Sequence, residues 1–295
     1  MRIRELCVFL QVKSLNMKKF VLMAFSALFL FGSCAKEFNR VYKSPDYQYK
    51  YEYAKECFAK GKYTRAVTLL QQLIVQQKGT SNAEESLYML AMAEFCDRDY
   101  ESAAETFKRY VKSYPRGIYA EMASYHVGQS LYMSTPEPRL DQSNTIQAIA
   151  AFQEFLDLFP TAKVKEQAQQ RLFELQDKLV EKELYSAQLY YDLGTYFGNQ
   201  TPGDEGNNYQ ACIITAQNAL KDYPYSARRE DFAVLVMKSK YELAQQSVEE
   251  KKLERYQDAE DECYGFINEY PDSKERKTAE SYIKKCKKYT ANIAD

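Results

Sequence analysis

The sequence predicts an all-α protein, a helical solenoid of about five helical hairpins followed by a C-terminal helix. The first observation is a pattern that occurs four times: a small residue, apolar residues near four and seven positions later, and a proline twelve positions later. The four pairs of small residue and proline are Ala103 and Pro115, Ala148 and Pro160, Cys212 and Pro224, and Ala259 and Pro271. One supersecondary unit used repeatedly is typical of a solenoid.

Helix geometry explains the residue types in this pattern. Positions i, i+4 and i+7 lie on one face of a helix, so the small residue lets a partner helix approach and the larger residues fill the space between them. Proline ends the helix, because it has no backbone N–H to donate and clashes with the preceding turn. An aromatic residue precedes each proline: Tyr114, Phe159, Tyr223 and Tyr270.

A second observation is a spacing of 37 residues in the helices that pair with these. Three columns follow it: Tyr51, Tyr88 and Tyr125; Phe58, Phe95 and Tyr132; and Ala54, Ala91 and Gly128. The period is slightly longer than the tetratricopeptide unit of about 34 residues. Gly61, Tyr63 and Ala66 also fit the turn and second-helix start of that unit. The predicted fold is therefore a tetratricopeptide-repeat solenoid.

Taken in order, the elements form a repeat domain over residues 47–290. The first three hairpins are predicted at 47–59 with 63–78, 83–96 with 100–114, and 118–133 with 143–159, with an enlarged turn at 134–144. From 161 to about 197 a long apolar-periodic stretch predicts a linking helix and then the first helix of the fourth repeat. A polar insertion follows at 198–208, and further helices are predicted at 209–222, 227–246, 253–269 and 273–290.

The N-terminal region predicts a processing signal rather than part of the fold. Residues 1–16 are interpreted as an extension that precedes a true start at Met17. Residues 17–33 combine a basic beginning with a short apolar run and small residues before Cys34, as in a bacterial lipoprotein signal peptide. Phe31 stands where leucine is usual, and a simple anchor helix or an ordinary signal peptide is the alternative. We expect Cys34 to carry the lipid and residues 34–46 to form a tether.

The sequence offers no grouped catalytic or metal-binding residues. His126 is the only histidine, the seven cysteines form no CxxC pair, and there is no glycine-rich phosphate loop or nucleophile elbow. We therefore expect no catalytic site, metal or cofactor, and a protein that is not an enzyme. The net charge is −1, and no basic groove with interleaved aromatics is evident, which argues against a nucleic-acid partner.

Six aromatic residues are the candidate binding site. In a tetratricopeptide array the first helices line the concave surface, and the two aromatic columns fall on that side. The predicted groove for a peptide or partner is lined by Tyr51, Phe58, Tyr88, Phe95, Tyr125 and Tyr132. The alternative is that these rings fill the contacts between neighbouring hairpins.

Together, a lipoprotein signal, a tether and hairpins ending in Tyr-Pro or Phe-Pro resemble the BamD family of outer-membrane β-barrel assembly lipoproteins. The resemblance covers about Cys34 to Lys288. Asp141-Gln142 in the enlarged turn looks like the DQ-containing loop of that family, and the Tyr-rich stretch from Glu183 to Tyr191 is similar to its middle helix. Two features depart from the family pattern, namely Cys212 in place of the usual alanine and the insertion at 198–208.

The resemblance implies an outer-membrane protein held by its N-terminal lipid on the periplasmic face, without nucleotide or metal. Its implied partners are the periplasmic domains of the barrel-forming assembly subunit, other assembly lipoproteins and unfolded outer-membrane proteins. Substrate capture would lie in the N-terminal repeats and subunit docking in the C-terminal ones. The alternatives are a cell-wall or division scaffold, or a nutrient-binding protein resembling the SusD-like family. Members of that family are much longer, and this chain has no Trp for a sugar platform.

Overall fold

The structure, a computed structural model, describes residues 36–77, 79–194 and 207–294. Regular secondary structure in these ranges is helical. The chain divides into two compact units between Ser130 and Leu131. Each unit is described by itself below.

The first unit consists of helical hairpins packed in sequence order. Its helices are α1 (residues 36–43), α2 (Tyr47–Ala59), α3 (Tyr63–Gln76), α4 (Ala83–Cys96), α5 (Tyr100–Ser113) and most of α6 (Ala120–Met133). Helix α2 packs on α3, α3 on α4, and α4 on α5. The predicted bounds of α2 to α6 agree with the observed ones to within two residues.

The second unit has the same organisation. Its helices are the end of α6, α7 (Ser143–Leu158), α8 (Lys165–Leu193), α9 (Asn208–Asp222), α10 (Arg229–Gln245), α11 (Glu249–Glu269) and α12 (Arg276–Ala294). Each helix from α7 onward packs on the next one, and α8 also contacts α10. The prediction of an all-α fold built from tetratricopeptide-type hairpins is confirmed.

The four proline motifs share one local structure. Their small residues, Ala103, Ala148, Cys212 and Ala259, are completely buried. The aromatic residue before each proline leaves the helical conformation, with φ between −131° and −123° and ψ between 62° and 67°. Its backbone N–H still donates to the carbonyl four residues earlier. A residue that precedes proline is excluded from the α region, so each helix ends at the same point of its motif.

The turns inside the first two hairpins are also equivalent. Gly61 and Arg98, 37 residues apart, both adopt left-handed backbone conformations, with φ of 69° and 67°. After each, the next backbone N–H donates five residues back, from Lys62 to Cys57 and from Asp99 to Glu94. This is the hydrogen-bond pattern of a Schellman helix end, in which glycine is usual at the left-handed position. Arg98 takes the same conformation at a steric cost.

One predicted helix break was wrong. The stretch from 161 to 197 was expected to contain two helices, but Lys165–Leu193 is a single helix. No proline or glycine interrupts these residues, and Ala168, Leu175, Val180 and Ala187 keep buried positions along its whole length. Helix α11 also begins at Glu249 rather than at 253, and α12 continues to Ala294.

The predicted N-terminal segments are described only in part. Residues 1–35, which include the signal segment and Cys34, lie outside the described residues. Within the predicted tether, residues 36–43 form α1, whose Val41 is completely buried in the core of the first hairpin. Phe38 packs against the same core, with the Arg65 guanidinium 5.5 Å from its ring. This part of the tether therefore contributes to the folded unit.

Candidate protein-binding surfaces

In the first unit the predicted ladder of aromatic residues is largely packed inward. Tyr51 and Tyr125 are buried, with exposed fractions of 3% and 8%, and Phe58, Tyr88 and Phe95 are half-buried. Burial, and after it the nearby Glu85 carboxylate, raises the pKa of Tyr51 above its ordinary value. These five rings therefore contribute at most their edges to an open surface.

Ring contacts show what the half-buried members of the ladder touch. Phe58 meets Tyr63 edge to face, with ring centroids 5.6 Å apart, and Phe95 meets Tyr100 in the same way at 5.4 Å. Both contacts join the two helices of one hairpin, because an aromatic residue opens the second helix in each case. These two rings therefore pack against the second helix of their own hairpin. That the same rings also contact a bound peptide stays a prediction.

Tyr88 belongs to a cluster that joins α4 to the turn before α6. Its ring stacks on Tyr119 at 4.3 Å, with the two planes 9° apart, and meets Phe107 and Tyr110 edge to face. The Tyr110 hydroxyl donates to Glu84, and the same Glu84 oxygen accepts the backbone N–H of Ile118 at 2.9 Å. The 37-residue columns do not include Glu84 or Tyr119, so the sequence pattern missed this junction.

The single histidine has a structural position. The His126 ring stacks on Phe107 at 5.1 Å and meets Phe95 edge to face at 5.5 Å. Its Nδ1 lies 2.7 Å from the Met122 carbonyl oxygen, so Nδ1 carries a proton and donates. Burial lowers the pKa of His126 below its ordinary value, which favours the neutral ring. The residue fills the core between hairpins.

Tyr132 lies in the second unit, and its ring and hydroxyl both have partners there. The hydroxyl donates to Glu174 at 2.7 Å, and Arg171 donates both to that hydroxyl and to Glu174, at 3.0 and 2.8 Å. The Arg171 guanidinium also lies over the ring, 4.5 Å from its centroid. Hydrogen bonds, first from Tyr132 and then from Arg171, lower the pKa of Glu174 to about 2. The sixth member of the ladder is thus held by α8.

Several exposed apolar side chains of the second unit lie on α8 and the enlarged turn. Tyr185, Leu189 and Leu193 follow one another at intervals of four residues, and Leu189 is 58% exposed. Tyr185 and Leu189 line a cavity of about 420 Å³, together with Arg139 and Lys182. The Tyr-rich composition of this helix and the length of the turn were visible in the sequence, but their proximity was not.

A second cavity, of about 540 Å³, lies between α8, α10 and the turn just before α12. Its charged side chains mostly neutralise one another, since Lys238 pairs with Glu275 at 3.1 Å and Arg228 with Asp231 at 3.3 Å. The lining also includes Leu184, Tyr191, Val234 and Leu235. This groove is therefore close to neutral and partly apolar.

The described residues also bear on metal binding and on membrane insertion. Nowhere in them do His, Cys, Asp and Glu gather in a group of three that could hold a metal ion. None of the helices described is both long enough and apolar enough to cross a bilayer. Cys212 and Cys263, at buried repeat positions, have thiols whose pKa values are raised by burial.

A known protein family matches the part of the chain that contains these hairpins. The family model described as "YfiO: Outer membrane lipoprotein" matches residues 44–199, which is more than half of the chain. The chain belongs to the YfiO family of outer membrane lipoproteins. The match begins just before α2 and extends past the end of α8. It therefore includes the whole aromatic ladder and the Arg139–Tyr185 cavity. The resemblance to the BamD family is confirmed.

Curated relatives of this YfiO-family chain carry consistent names. The chain is 24% identical over 131 residues to the outer membrane protein assembly factor BamD of Rickettsia prowazekii, and 23% over 160 residues to that of Caulobacter vibrioides. These alignments cover 44% and 54% of the chain and 52% of each relative, so the chain spans about half the length of these relatives. A putative BamD of Aquifex aeolicus is 25% identical over 226 residues, covering 77% of the chain and 67% of that protein.

Solved structures with tetratricopeptide-like repeats are also similar. A Podospora anserina putative kinesin light chain with TPR-like repeats gives a TM-score of 0.31 at 13% identity, covering 84% of this chain and 95% of that one. The TPR2AB-domain:pHSP90 complex of yeast Sti1 gives a TM-score of 0.37 at 13% identity, covering 82% of this chain and 98% of that one.

Proposed function

We propose that this chain is a lipid-anchored outer-membrane scaffold of the β-barrel assembly machinery. It works by binding and positioning other proteins, without catalysis and without a cofactor. The observation that carries the proposal is the YfiO-family match over 44–199, which coincides with packed tetratricopeptide-type hairpins. The relatives named outer membrane protein assembly factor BamD support the same process.

The proposed anchor is a lipid on Cys34, after removal of residues 17–33, with residues 1–16 preceding the true start. Buried acyl chains contribute roughly 0.8 kcal/mol per CH₂, so several chains on one cysteine hold a protein on a membrane. We place the protein on the periplasmic face, where assembly of outer-membrane barrels takes place. Helix α1 begins within a few residues of Cys34, so the first hairpin would sit close to the membrane surface.

The proposed partners are the periplasmic domains of the barrel-forming assembly subunit, other assembly lipoproteins and unfolded outer-membrane proteins. The hairpins suit this role because aromatic and small side chains pack their cores, so that their helices offer a preformed surface to a partner. We keep the ladder of Tyr51, Phe58, Tyr88, Phe95, Tyr125 and Tyr132 as a proposed contact for peptides. Its half-buried rings would offer their edges, with little loss of side-chain entropy.

The test is a detergent pull-down of the lipidated protein from its native membrane, with mass spectrometry of the proteins that co-purify. We expect a barrel-forming assembly subunit in near-equal amount. A Cys34→Ser variant, which cannot be lipidated, is the control and should leave the membrane fraction. Recovery of cell-wall proteins or a nutrient transporter alone would refute the assembly role while leaving the fold unaffected.

A further inference from the structure

The enlarged turn between α6 and α7 is held in one conformation by a buried amide. Gln142 is 3% exposed, and its Nε2 donates to the Glu137 and Leu140 carbonyls at 2.7 and 3.1 Å. Its Oε1 accepts the hydroxyl of Thr145 at 2.7 Å. The three hydrogen bonds of this buried side chain hold the turn that carries Arg139, two of them at backbone carbonyls on either side of it.

Three cations lie along this turn and the facing part of α8. The Arg139 guanidinium lies 4.6 Å from the Tyr185 ring centroid, Lys182 Nζ donates to the Leu140 carbonyl at 3.3 Å, and Lys178 Nζ donates to the Thr135 hydroxyl. Within the described part of the chain, no carboxylate forms an ion pair with any of the three. The Asp141 carboxylate accepts the backbone N–H of Ser143 at 3.0 Å. Hydrogen bonds from Ser143, and after them the charge of Lys182, lower the pKa of Asp141. Among the described residues these three cations therefore have no direct ion-pair partner, and Asp141 is the acidic group that acts on Lys182.

Apolar surface lies directly beside this charge. The cavity of about 420 Å³ is lined by Arg139, Lys182, Tyr185 and Leu189, with Leu189 58% exposed and Tyr185 37% exposed. Leu140, also 58% exposed, follows Arg139 on the turn. Isolated exposed leucines are ordinary, but here they border a cavity and cations that have no direct ion-pair partner among the described residues, a combination that suits an interface.

We propose that this cationic groove docks an extended segment of a partner protein in which acidic residues alternate with apolar ones. The carboxylates would meet Arg139 and Lys182, and the apolar side chains would lie on Tyr185 and Leu189. Complementary charge of this kind fixes orientation and speeds encounter. The inference rests on the proposed function only in taking the ligand to be a protein. Asp192, also in the lining, disfavours a ligand that carries only negative charge, such as a phosphate headgroup.

The test uses the full chain and a fluorescent peptide of about ten residues, the length of one barrel strand, with Glu alternating with Leu and Phe. Fluorescence anisotropy should show binding that weakens with salt and weakens about tenfold in Arg139→Glu. The matched control is Lys163→Glu, which reverses an exposed cation in the turn just before α8, away from Tyr185 and Leu189, and should bind as the parent does. A peptide with Lys in place of Glu should bind poorly to the parent and better to Arg139→Glu/Lys182→Glu.

Three results would overturn the proposal. These are equal affinity for the Glu and Lys peptides, no effect of Arg139→Glu on binding, and Arg139-dependent binding of phosphatidylglycerol vesicles in place of the peptide. Thermal unfolding of each variant, followed by circular dichroism, shows that lost binding is not lost folding. The pull-down described above separates the two proposals. If an assembly subunit co-purifies but the Glu peptide does not bind, the docking groove is refuted and the assembly role is not.

Discussion

The hydroxyl of Tyr110 donates a hydrogen bond to the carboxylate of Glu84, 26 residues earlier in the chain. The same hydroxyl accepts the backbone N–H of Tyr119 at 3.2 Å, so it connects α4, α5 and the turn before α6. Burial, and then the hydrogen bond to Glu84, raises the pKa of Tyr110 above its ordinary value. The junction between the second and third hairpins is thus a polar contact inside an aromatic cluster.

Gly117 is the residue most sensitive to this junction. A Cβ at position 117 would overlap the Glu84 carboxylate and the Tyr110 hydroxyl, which hold one another in place. We expect Gly117→Ala to destabilise the protein by about 1–3 kcal/mol, measured by urea unfolding. In the control Gly265→Ala, the new methyl on α11 has no atom within 4 Å and should stabilise by about 0.5–1 kcal/mol. Equal unfolding midpoints for the two variants would contradict this packing.

The equivalent turns at Gly61 and Arg98 allow a paired test. A left-handed backbone costs a non-glycine residue about 1–2 kcal/mol, partly offset by the greater chain entropy of glycine. Arg98→Gly should therefore stabilise the protein by roughly 0.5–1 kcal/mol, and Gly61→Ala should destabilise it by a similar amount. Urea unfolding followed by circular dichroism measures both. If Arg98→Gly lowers the free energy of unfolding instead, the contacts of the arginine side chain stabilise the protein by more than its left-handed backbone conformation destabilises it.

Buried Glu94 makes the stability of the first unit depend on pH. It is 4% exposed, its Oε2 has no hydrogen-bond partner among the described residues, and burial raises its pKa above the ordinary 4.5. A carboxyl with a raised folded pKa lowers stability as pH rises above its unfolded pKa. Glu94→Gln should thus unfold at a higher temperature at pH 7, and the gain should vanish towards pH 4. Thermal scans across this range, with exposed Glu101→Gln as control, test it.

Stability has the opposite pH dependence in the cluster formed by Tyr132, Arg171 and Glu174. Because the folded pKa of Glu174 is about 2, below the ordinary 4.5, its contribution is present above pH 4.5 and is lost as pH falls towards 2. About a third of the Arg171 and Glu174 side chains is exposed, so the effect on unfolding free energy should stay below about 1 kcal/mol. Tyr132→Phe keeps the ring and removes the hydrogen bond that lowers the pKa of Glu174 most. NMR titration should then give Glu174 a higher pKa, and an unchanged value would contradict the assignment.

Most of the hairpins could be predicted from the sequence, because each motif carries its own start and stop signals. The small residues, the aromatic-proline helix ends and the 37-residue columns are local features, and the structure buries or terminates them as expected. The continuous helix α8 was missed because the repeat period implied a break between 165 and 193 that no residue enforces.

The candidate sites were harder to predict, because spacing identifies a helix face but not what covers it. The aromatic columns were predicted to line a groove, whereas Tyr51 and Tyr125 are buried and Tyr132 is held by Arg171. The groove at Arg139 depends on a contact with Tyr185 across 46 residues, between a turn outside the repeat period and the middle of α8. No periodic signal connects two such positions.

The order in which the helices pack has a consequence for folding speed. The large contacts in each unit join helices that follow one another in the chain, so little loop entropy must be lost before a contact forms. Proteins of this low contact order fold quickly, and repeats can propagate structure from one end. Each hairpin can therefore form on the one before it while later residues are still emerging, which shortens the time that its apolar faces spend exposed to aggregation.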